Sequence, residues 1–246
     1  MSAAYAAQLV VEPGVEIGRE RIEVRFADGR REDLRLHDYE RIYALPGLYE
    51  RIVQERLGCR SPAVLAGMLG AAVDSCGWDR AAVRVLDIAA GNGVSGEALA
   101  AEGLGGAGRY GTDIIPVARA AALRDRSGVY DDYLTLDLLA LSDEQRRDLA
   151  ALGCAALSCV APVGERRSEL PPDALAAAAT LLADDAVVVY MHDPAGRPDI
   201  VDARWWRRAV SAEAMLVARE RYRHRYLADG SPFEMDGVVW RLQRAA

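Results

Sequence analysis

The stretch from residue 83 to residue 99, VRVLDIAAGNGVSGEAL, combines an apolar run, an acid and three glycines at a spacing that can hold a ligand. Gly91, Gly93 and Gly96 form the pattern G-x-G-x-x-G at the start of a predicted helix. A strand that turns straight into a helix brings backbone N–H groups and the positive end of the helix dipole to one point, and glycine lets a ligand approach them closely. The pattern suits a dinucleotide loop, another nucleoside site, or a tight turn without a ligand.

Three acids near this loop favour a cationic nucleoside ligand over a dinucleotide. Asp87 lies four residues before Gly91, where it would repel a phosphate. The same carboxylate suits S-adenosylmethionine, because this molecule carries an ammonium and a sulfonium. Asp113 ends the next predicted strand, 22 residues after Gly91, and can accept both ribose hydroxyls. Asp137 ends a further apolar stretch and is placed to reach the adenine amino group.

Alternating strands and helices must position these residues. Continuous apolar strands separated by helices predict a parallel sheet covered on both faces. We expect strands at 83–88, 108–113, 154–160 and 186–191, with helices at about 95–102, 116–124, 142–151 and 172–183. Residues 213–227 and 233–244 face each other across ADGSP, which is too short for a crossover helix, so they must pair antiparallel. The predicted fold is α/β: a doubly wound seven-stranded sheet, mostly parallel, with a C-terminal antiparallel hairpin.

Residues 1–77 are expected to form an N-terminal hairpin and a helical lid, and residues 78–246 the sheet domain. Residues 22–36 alternate apolar and charged side chains around an Asp28–Gly29 turn, which indicates a hairpin. Residues 36–59 predict two helical pieces broken at Pro46–Gly47. Residues 61–77 predict a helix with a Ser61 cap and proline at its first position.

Three stretches resemble motifs of the class I S-adenosylmethionine-dependent methyltransferases. VLDIAAGNG (85–93) is similar to their first motif, an apolar strand followed by D/E-x-G-x-G-x-G, although Ala89 replaces the initial glycine. YGTDIIPVARAA (110–121) is similar to their second motif, a strand that ends in an acid before a short helix. LHDYERIYALPGLYERI (36–52) resembles the lid helices of small-molecule members. The layout of roughly residues 78–244 matches the family as a whole.

The resemblance implies a Rossmann-like fold, S-adenosylmethionine as the cofactor and a set of residues around it. We expect a lid tyrosine, the acids, the glycine loop and residues at strand ends to line the cofactor pocket: Tyr39, Asp87, Ala89, Gly91, Asn92, Gly93, Asp113, Ile114, Asp137, Leu138 and Val160, followed by Ala161 and Pro162. For Asn92, tolerance of a left-handed turn is an equally simple role.

Methyl transfer depends largely on alignment of the acceptor, the methyl group and the leaving sulfur, so few residues need to act chemically. His192 directly follows a predicted strand, where ligands bind in doubly wound sheets, and a histidine suits a general base. Capping of the Asp193–Pro194 turn is its alternative role. His37, just before the lid, and Tyr43 in the lid are the other catalytic candidates. Tyr43 shares a helix face with Tyr39, which also fits simple packing.

The remaining polar and aromatic groups are interpreted mainly as structural. The arginines at 219, 221, 223 and 225 alternate along one strand beside His224, which fits protection of a sheet edge, with recognition of an acid as the second option. One of Trp205 and Trp206 is expected in the core, and the other could meet a substrate or a second subunit. The four cysteines lack C-x-x-C pairing, which indicates reduced thiols and no metal site.

Composition bounds the partners and the location. The formal net charge of −7 argues against a nucleic-acid partner. The N-terminus lacks the basic start and long apolar core of a signal peptide, and the longest apolar stretches are too short to cross a bilayer. We expect a cytoplasmic protein with a small-molecule acceptor, no nucleic acid, no membrane, and a homodimer as one option.

Together these features predict methyl transfer from S-adenosylmethionine to a small molecule, with secondary metabolism as one setting. Residues 158–165, SCVAPVGE, lack the N/D-P-P-Y/F tetrapeptide of many enzymes that methylate nucleobase or glutamine amino groups. Three alternatives stay open. The bound sulfonium could stabilise negative charge in an elimination or rearrangement. An NAD-dependent oxidoreductase is disfavoured by Asp87 and the closing hairpin, and a non-catalytic partner subunit would show no turnover alone.

Overall fold

Two β-sheets organise the chain, in a computed structural model that describes residues 5–11, 17–164, 169–195 and 201–244. A small sheet contains β1 (Tyr5–Val10), β2 (Arg21–Phe26) and β3 (Arg31–Arg35). A large sheet contains β4 (Val85–Ile88), β5 (Arg109–Asp113), β6 (Asp132–Thr135), β7 (Ala156–Pro162), β8 (Asp185–His192), β9 (Ala212–Tyr226) and β10 (Pro232–Arg244). The order in the large sheet is β6-β5-β4-β7-β8-β10-β9. Strands β4 to β8 pair in parallel, and β10 runs antiparallel to both neighbours, so the predicted fold class is confirmed.

Helices connect the strands and cover both faces of the large sheet. They are α1 (Tyr39–Ala44), a π-helix (Glu50–Arg56), α2 (Ser61–Ser75), α3 (Val94–Ala101), α4 (Pro116–Asp125), α5 (Asp143–Ala151), α6 (Pro172–Ala179) and α7 (Ala203–Val210). Proline lies in the first turn of α2, α4 and α6, where its missing N–H leaves no helical bond unmade. A capping box between Ser142 and Gln145 starts α5.

Apolar side chains fill three layers around these elements. On one face of the large sheet, Leu65 and Leu69 of α2 pack with Val85, Val187 and neighbouring residues. On the other face, α6 and α7 contribute a second core that includes the fully buried Trp206, so Trp206 is the core member of the tryptophan pair. A third core joins the small sheet and the lid helices to α4.

The central strand β4 sets the position of a binding crevice. All four of its residues are buried, because β5 and β7 flank it and helices cover both faces. The chain passes from β4 to β5 on one side, and later returns to β7 on the other side of β4. Ligands of open α/β sheets bind where the strand order reverses in this way, at the carboxyl ends of the strands.

The N-terminal region follows the predicted hairpin and lid, with three differences. The Asp28–Gly29 turn joins β2 to β3, and β1 adds a strand that the alternation pattern did not indicate. The second lid piece is a π-helix and not an α-helix. The predicted Ser61 cap is wrong, because Arg60 is the N-cap residue and Ser61 lies inside α2 with its hydroxyl turned to His224 and Met191. The domain boundary at residue 77 stays a prediction.

Three further features can be read within the described residues: membrane-spanning helices, metal sites and the state of the cysteines. No helix in the described ranges is long and apolar enough to span a bilayer. Within those ranges no group of histidine, cysteine or acidic side chains is arranged to hold a metal ion. Cys59, Cys76, Cys154 and Cys159 are free thiols.

A buried ion pair joins the N-terminal region to the far edge of the large sheet. The Arg225 Nη2 of β9 lies 2.7 Å from the Glu20 Oε1 that precedes β2, and both side chains are almost fully buried. Removal of one partner would leave an uncompensated charge away from water. The pair therefore links the segment that enters the small sheet to strand β9 of the large sheet.

We expect Glu20→Gln to lower the free energy of unfolding by about 3–5 kcal/mol, since Arg225 would stay charged and lose its counter-ion. Urea denaturation followed by circular dichroism measures the change. The matched control is Asp33→Asn, which removes the exposed partner of Arg21 and should cost less than about 1 kcal/mol. Equal effects of the two variants would contradict a structural role for the buried pair.

Candidate functional site

The turn after β4 adopts a left-handed backbone at three alternate residues. The φ angles are +51° at Ala89, +54° at Gly91 and +87° at Gly93. Glycine adopts this region without a steric penalty, whereas alanine has a Cβ that crowds the following carbonyl oxygen. The departure from the methyltransferase motif at Ala89 is therefore a strained position. The turn requires left-handed residues here, which explains the glycine spacing in physical terms.

Two of the glycines make room for tyrosine side chains. A Cβ on Gly91 would lie 2.5 Å from the Tyr43 hydroxyl, and one on Gly96 would lie 2.5 Å from the Tyr130 ring. The Tyr133 hydroxyl donates to the Gly91 carbonyl oxygen over 2.7 Å. The sequence interpretation assigned these glycines to the approach of a ligand. In the structure they also leave room for the Tyr43 and Tyr130 side chains, which pack against the loop.

Asp87 lies beneath the loop, only 1% exposed. Its Oδ2 accepts hydrogen bonds from the Ser95 hydroxyl at 2.5 Å and the Tyr130 hydroxyl at 2.6 Å. Its Oδ1 is out of contact with solvent and has no hydrogen-bond partner within the described part of the chain. Burial raises the pKa of Asp87 to about 6, against the hydrogen bonds that lower it. A carboxylate with an unpaired oxygen at this depth favours a cationic neighbour.

Asp113 connects the loop to the end of β5. Its Oδ2 accepts the Gly91 N–H and its Oδ1 accepts the Ile115 N–H, both at 2.9 Å. The side chain is 8% exposed, and burial raises its pKa. The Ile114 N–H also bonds this carboxylate. An ionised carboxylate has about four acceptor positions, so Asp113 keeps capacity for a further donor.

The other predicted cofactor residues lie at the same edge of the sheet but differ in exposure. Ile114 is 61% exposed beside Asp113, whereas Leu138 is buried after β6. Asp137 is exposed, and its Oδ1 accepts the Leu139 N–H. Val160 is half-buried near the end of β7. Asn92 is buried in the loop, and its amide donates to Glu50 over 2.7 Å.

The lid brings three tyrosine rings together, and one of them, Tyr43, lies over the loop at Gly91. Tyr39 and Tyr43 stack with ring centroids 5.5 Å apart, and Tyr49 lies 5.6 Å from Tyr43 at a tilt. Burial raises the pKa of Tyr39 to about 12, and that of Tyr43 well above its usual value of 10. Tyr43 therefore stays protonated at neutral pH and can donate a hydrogen bond but cannot serve as a base.

A second lid contact involves groups that the sequence interpretation missed. Glu50, in the π-helix, accepts the Asn92 amide and pairs with Arg126 Nη1 at 2.7 Å. Arg126 also pairs with Glu97 and donates to the Asn92 carbonyl oxygen. Tyr130 and Tyr133 were likewise missed, although they lie within eight residues of the predicted Asp137. In the sequence they stand out only as aromatic residues near a strand that follows the loop. That position does not indicate which side chains they contact.

The two histidine candidates have different environments. His192 ends β8, is 4% exposed, and its Nε2 lacks a hydrogen-bond partner in the described ranges. Burial lowers its pKa, against a hydrogen bond with the Val163 backbone that raises it, so the ring is neutral at pH 7. His37 is exposed, next to the Tyr39 ring at a centroid distance of 5.5 Å. Only His192 combines an unpaired nitrogen with a position at a strand's carboxyl end.

The arginines of β9 divide between several roles. Arg219 and Arg221 both bind Asp236, which is 2% exposed and opposite His192 in the β8–β10 register. Arg225 forms the buried pair with Glu20. These three arginines therefore act mainly in ion pairs within the fold, and the predicted protection of the sheet edge is secondary.

His224 belongs to a buried polar network on the face of the sheet covered by α2. Its Nδ1 lies 2.6 Å from the Ser61 hydroxyl, which accepts a bond from Tyr222 over 2.8 Å. The Cys59 sulfur lies 3.8 Å from the same nitrogen. Burial lowers the pKa of His224 to about 3, which agrees with a structural, neutral histidine.

Comparisons with known proteins identify the fold. No protein-family model matches the chain, and no curated protein matches it. An S-adenosylmethionine-dependent methyltransferase from Anabaena variabilis superposes with a TM-score of 0.53 at 12% identity, over 83% of this chain and 93% of its own. A candidate RNA methyltransferase from Pyrococcus horikoshii superposes with a TM-score of 0.52 at 14% identity, over 74% of this chain and 83% of its own. The chain has the fold of the S-adenosylmethionine-dependent methyltransferases.

Ala89→Gly should raise the free energy of unfolding by about 0.5–1 kcal/mol. The left-handed conformation costs alanine about 1–2 kcal/mol, and the extra flexibility of glycine in the unfolded chain offsets part of that gain. Thermal unfolding measures the difference. The control is Ala98→Gly inside α3, which should destabilise by a similar amount. A lower free energy of unfolding for Ala89→Gly than for the wild type would contradict the conclusion that the backbone at Ala89 is strained.

The buried His224 should make the protein less stable in acid. Its pKa is about 3 in the folded chain and about 6.5 when unfolded, so the unfolded state binds more protons between those values. Its contribution is complete above pH 6.5 and is lost as pH falls toward 3, by at most about 1.4 kcal/mol per pH unit. Urea denaturation from pH 7 to pH 4.5 should show a shallower loss for His224→Gln than for the wild type. An unchanged slope would contradict the prediction.

Proposed function

We propose, on the fold shared with S-adenosylmethionine-dependent methyltransferases, that this chain transfers a methyl group from that cofactor to a small molecule. The observation that carries the proposal is the left-handed glycine loop after β4, held to the end of β5 by Asp113 at the crevice where the strand order reverses. Open α/β sheets bind nucleoside ligands at this position. When bound, the cofactor would supply the activated methyl group.

The residues around the loop are suited to the parts of this cofactor. The remaining lone pairs of Asp113 would accept the ribose hydroxyls. The exposed Ile114 and the buried Leu138 offer apolar surface to the adenine, with Asp137 near its amino group. Asp87, with an unpaired buried oxygen, would supply negative potential under the cationic end. Ala89, Gly91, Asn92 and Gly93 form the backbone floor, and Tyr39 and Val160 are assigned to the surrounding wall.

His192 is our candidate for the proton acceptor. Because burial keeps the imidazole neutral at pH 7, its unpaired Nε2 is in the protonation state that a general base requires. The charge of the neighbouring Asp236 raises the pKa of His192, but Arg219, one of the two arginines bound to Asp236, lowers it by more. Tyr43, being protonated, is assigned to hydrogen bonding or packing at the lid. His37 stays a weaker candidate because of its exposure.

A small acceptor fits the charge and the cover of this crevice better than RNA does. The chain carries a formal net charge of −7, whereas RNA binding depends on basic surface that neutralises phosphates. Tyr43 of the lid lies over Gly91 and narrows the approach to the glycine loop. These two features support a small organic acceptor.

The proposal predicts that the purified chain binds S-adenosylhomocysteine and does not bind NADH in parallel calorimetric titrations. Asp113→Ala should weaken S-adenosylhomocysteine binding by about 1.5–3 kcal/mol, the range for hydrogen bonds to a charged group.

The matched control is Asp148→Ala on the exposed surface of α5, which should leave the affinity unchanged. Binding of NADH in place of S-adenosylhomocysteine would overturn the cofactor. An unchanged affinity in Asp113→Ala would overturn the placement of the ribose.

A further inference from the structure

The outermost strand of the large sheet, β9, has an outer edge that is covered only at one end. The strand is 15 residues long and ends the strand order. Near its carboxyl end, two backbone hydrogen bonds attach the lid segment to this edge: Arg60 N–H to the His224 carbonyl oxygen, and Tyr226 N–H to the Leu57 carbonyl oxygen. No strand in the described parts of the chain pairs with the rest of the edge.

The uncovered part of β9 carries exposed apolar side chains on both faces of the sheet. Met215 is 59% exposed and Leu216 is 48% exposed. In the register with β10, Leu216 lies opposite Trp240 and Met215 lies opposite Arg241. Consecutive residues of a strand point to opposite faces, so neither face is covered at this point. A long edge strand of this kind favours pairing with another strand.

The features that usually prevent edge pairing are weak in this part of β9. Charged side chains discourage pairing when they are directed at the edge, but Arg219 and Arg221 both bind Asp236 within the sheet. A bulge at Val217 interrupts the β9–β10 ladder, and a bulge increases the local twist of a strand. A second copy of β9 has the same bulge and the same twist.

The charges along β9 favour a second copy of the same strand that runs antiparallel. Glu213 lies near the amino end, and arginines follow at positions 219, 221, 223 and 225. Antiparallel pairing of two copies sets the acid of each against the basic half of the other, whereas parallel pairing would set arginine against arginine. When Leu216 faces its own copy, Glu213 lies opposite Arg219 of the partner subunit.

The residues of this arrangement are free to meet a second copy. Glu213 pairs with Arg207, but both side chains are largely exposed, at 72% and 67%, so this ion pair holds Glu213 only weakly. The paired stretch from Glu213 to Arg219 is about 20 Å long. It ends before His224, where the lid covers the edge.

We propose that β9 pairs antiparallel with β9 of a second copy of this chain, about a two-fold axis at Leu216. The two large sheets would then form one continuous sheet across a homodimer. A two-fold interface uses the same surface on both subunits, so residues 215–218 meet their own copies and an acid–arginine pair forms at each end. This inference does not depend on the proposed function, because it concerns the sheet edge and not the crevice.

Sedimentation equilibrium of the purified chain tests the dimer. We expect the wild type to have twice the 26.6 kDa mass of one chain at about 10–100 μM protein. Leu216→Lys should raise the dissociation constant at least about 100-fold, because two lysines would face each other in place of the apolar contact. The matched control is Leu123→Lys on α4, where the leucine is also 48% exposed, and it should leave the mass unchanged.

Leu216→Cys tests the register of the pair. Opposed residues of neighbouring antiparallel strands have Cβ atoms about 4.5–5.5 Å apart, close to the separation that a disulfide spans. Mild oxidation of Leu216→Cys should therefore give a covalent dimer on a non-reducing gel. The wild type, with its four native cysteines, and Leu123→Cys should stay single chains under the same conditions.

The outcomes distinguish this interface from other forms of association. A monomeric wild type would overturn the proposal. A dimer that Leu216→Lys leaves intact would also overturn it, because another surface would then join the copies. Absence of a covalent dimer in Leu216→Cys would overturn the two-fold pairing at Leu216. Circular dichroism verifies that each variant is folded.

Discussion

The carboxylate of Asp113 fixes the backbone on which the candidate site depends. By accepting the N–H groups of Gly91 and Ile115, it ties the turn after β4 to the start of the segment that follows β5. A left-handed turn has few internal hydrogen bonds, so an external acceptor of this kind decides where its peptide groups point. Tyr133 completes the arrangement by donating to the carbonyl oxygen of the same glycine.

The lid is bound to this fixed loop by polar contacts as well as by apolar packing. Tyr43 fills the space over Gly91, and Glu50 accepts the Asn92 amide. At the opposite end of the lid region, the Glu20–Arg225 pair joins the chain to β9. These contacts fix the position of the lid. Their net contribution to the free energy of folding is modest, because burying each polar group carries a desolvation cost. A cover held in this way can be sensitive to what binds beneath it.

Much of the architecture could be predicted because it follows from local patterns. Continuous apolar strands separated by helices predict a parallel sheet, and the short ADGSP connection requires β9 and β10 to pair antiparallel. The strand β1 was missed because its partner β2 lies outside the local pattern. The second lid piece was predicted as helical, but its π-helical form was not, because a π-helix differs from an α-helix only by a change in hydrogen-bond register. Ser61 was misjudged for a similar reason. Its hydroxyl has partners on β8 and β9, far away in sequence, and these compete with the local capping role.

The sequence by itself determined the elements, their order, the glycine turn and the acids at two strand ends, because each depends on residues close together in the chain. Only the tertiary structure decided which side chains meet at the loop. Tyr43, Glu50, Arg126 and Tyr130 come from separate elements and converge there through packing. The sequence also could not show that His192 has an unpaired buried nitrogen while His37 is exposed. Burial and hydrogen-bond satisfaction depend on the neighbours in space, and a single chain's local pattern does not specify them.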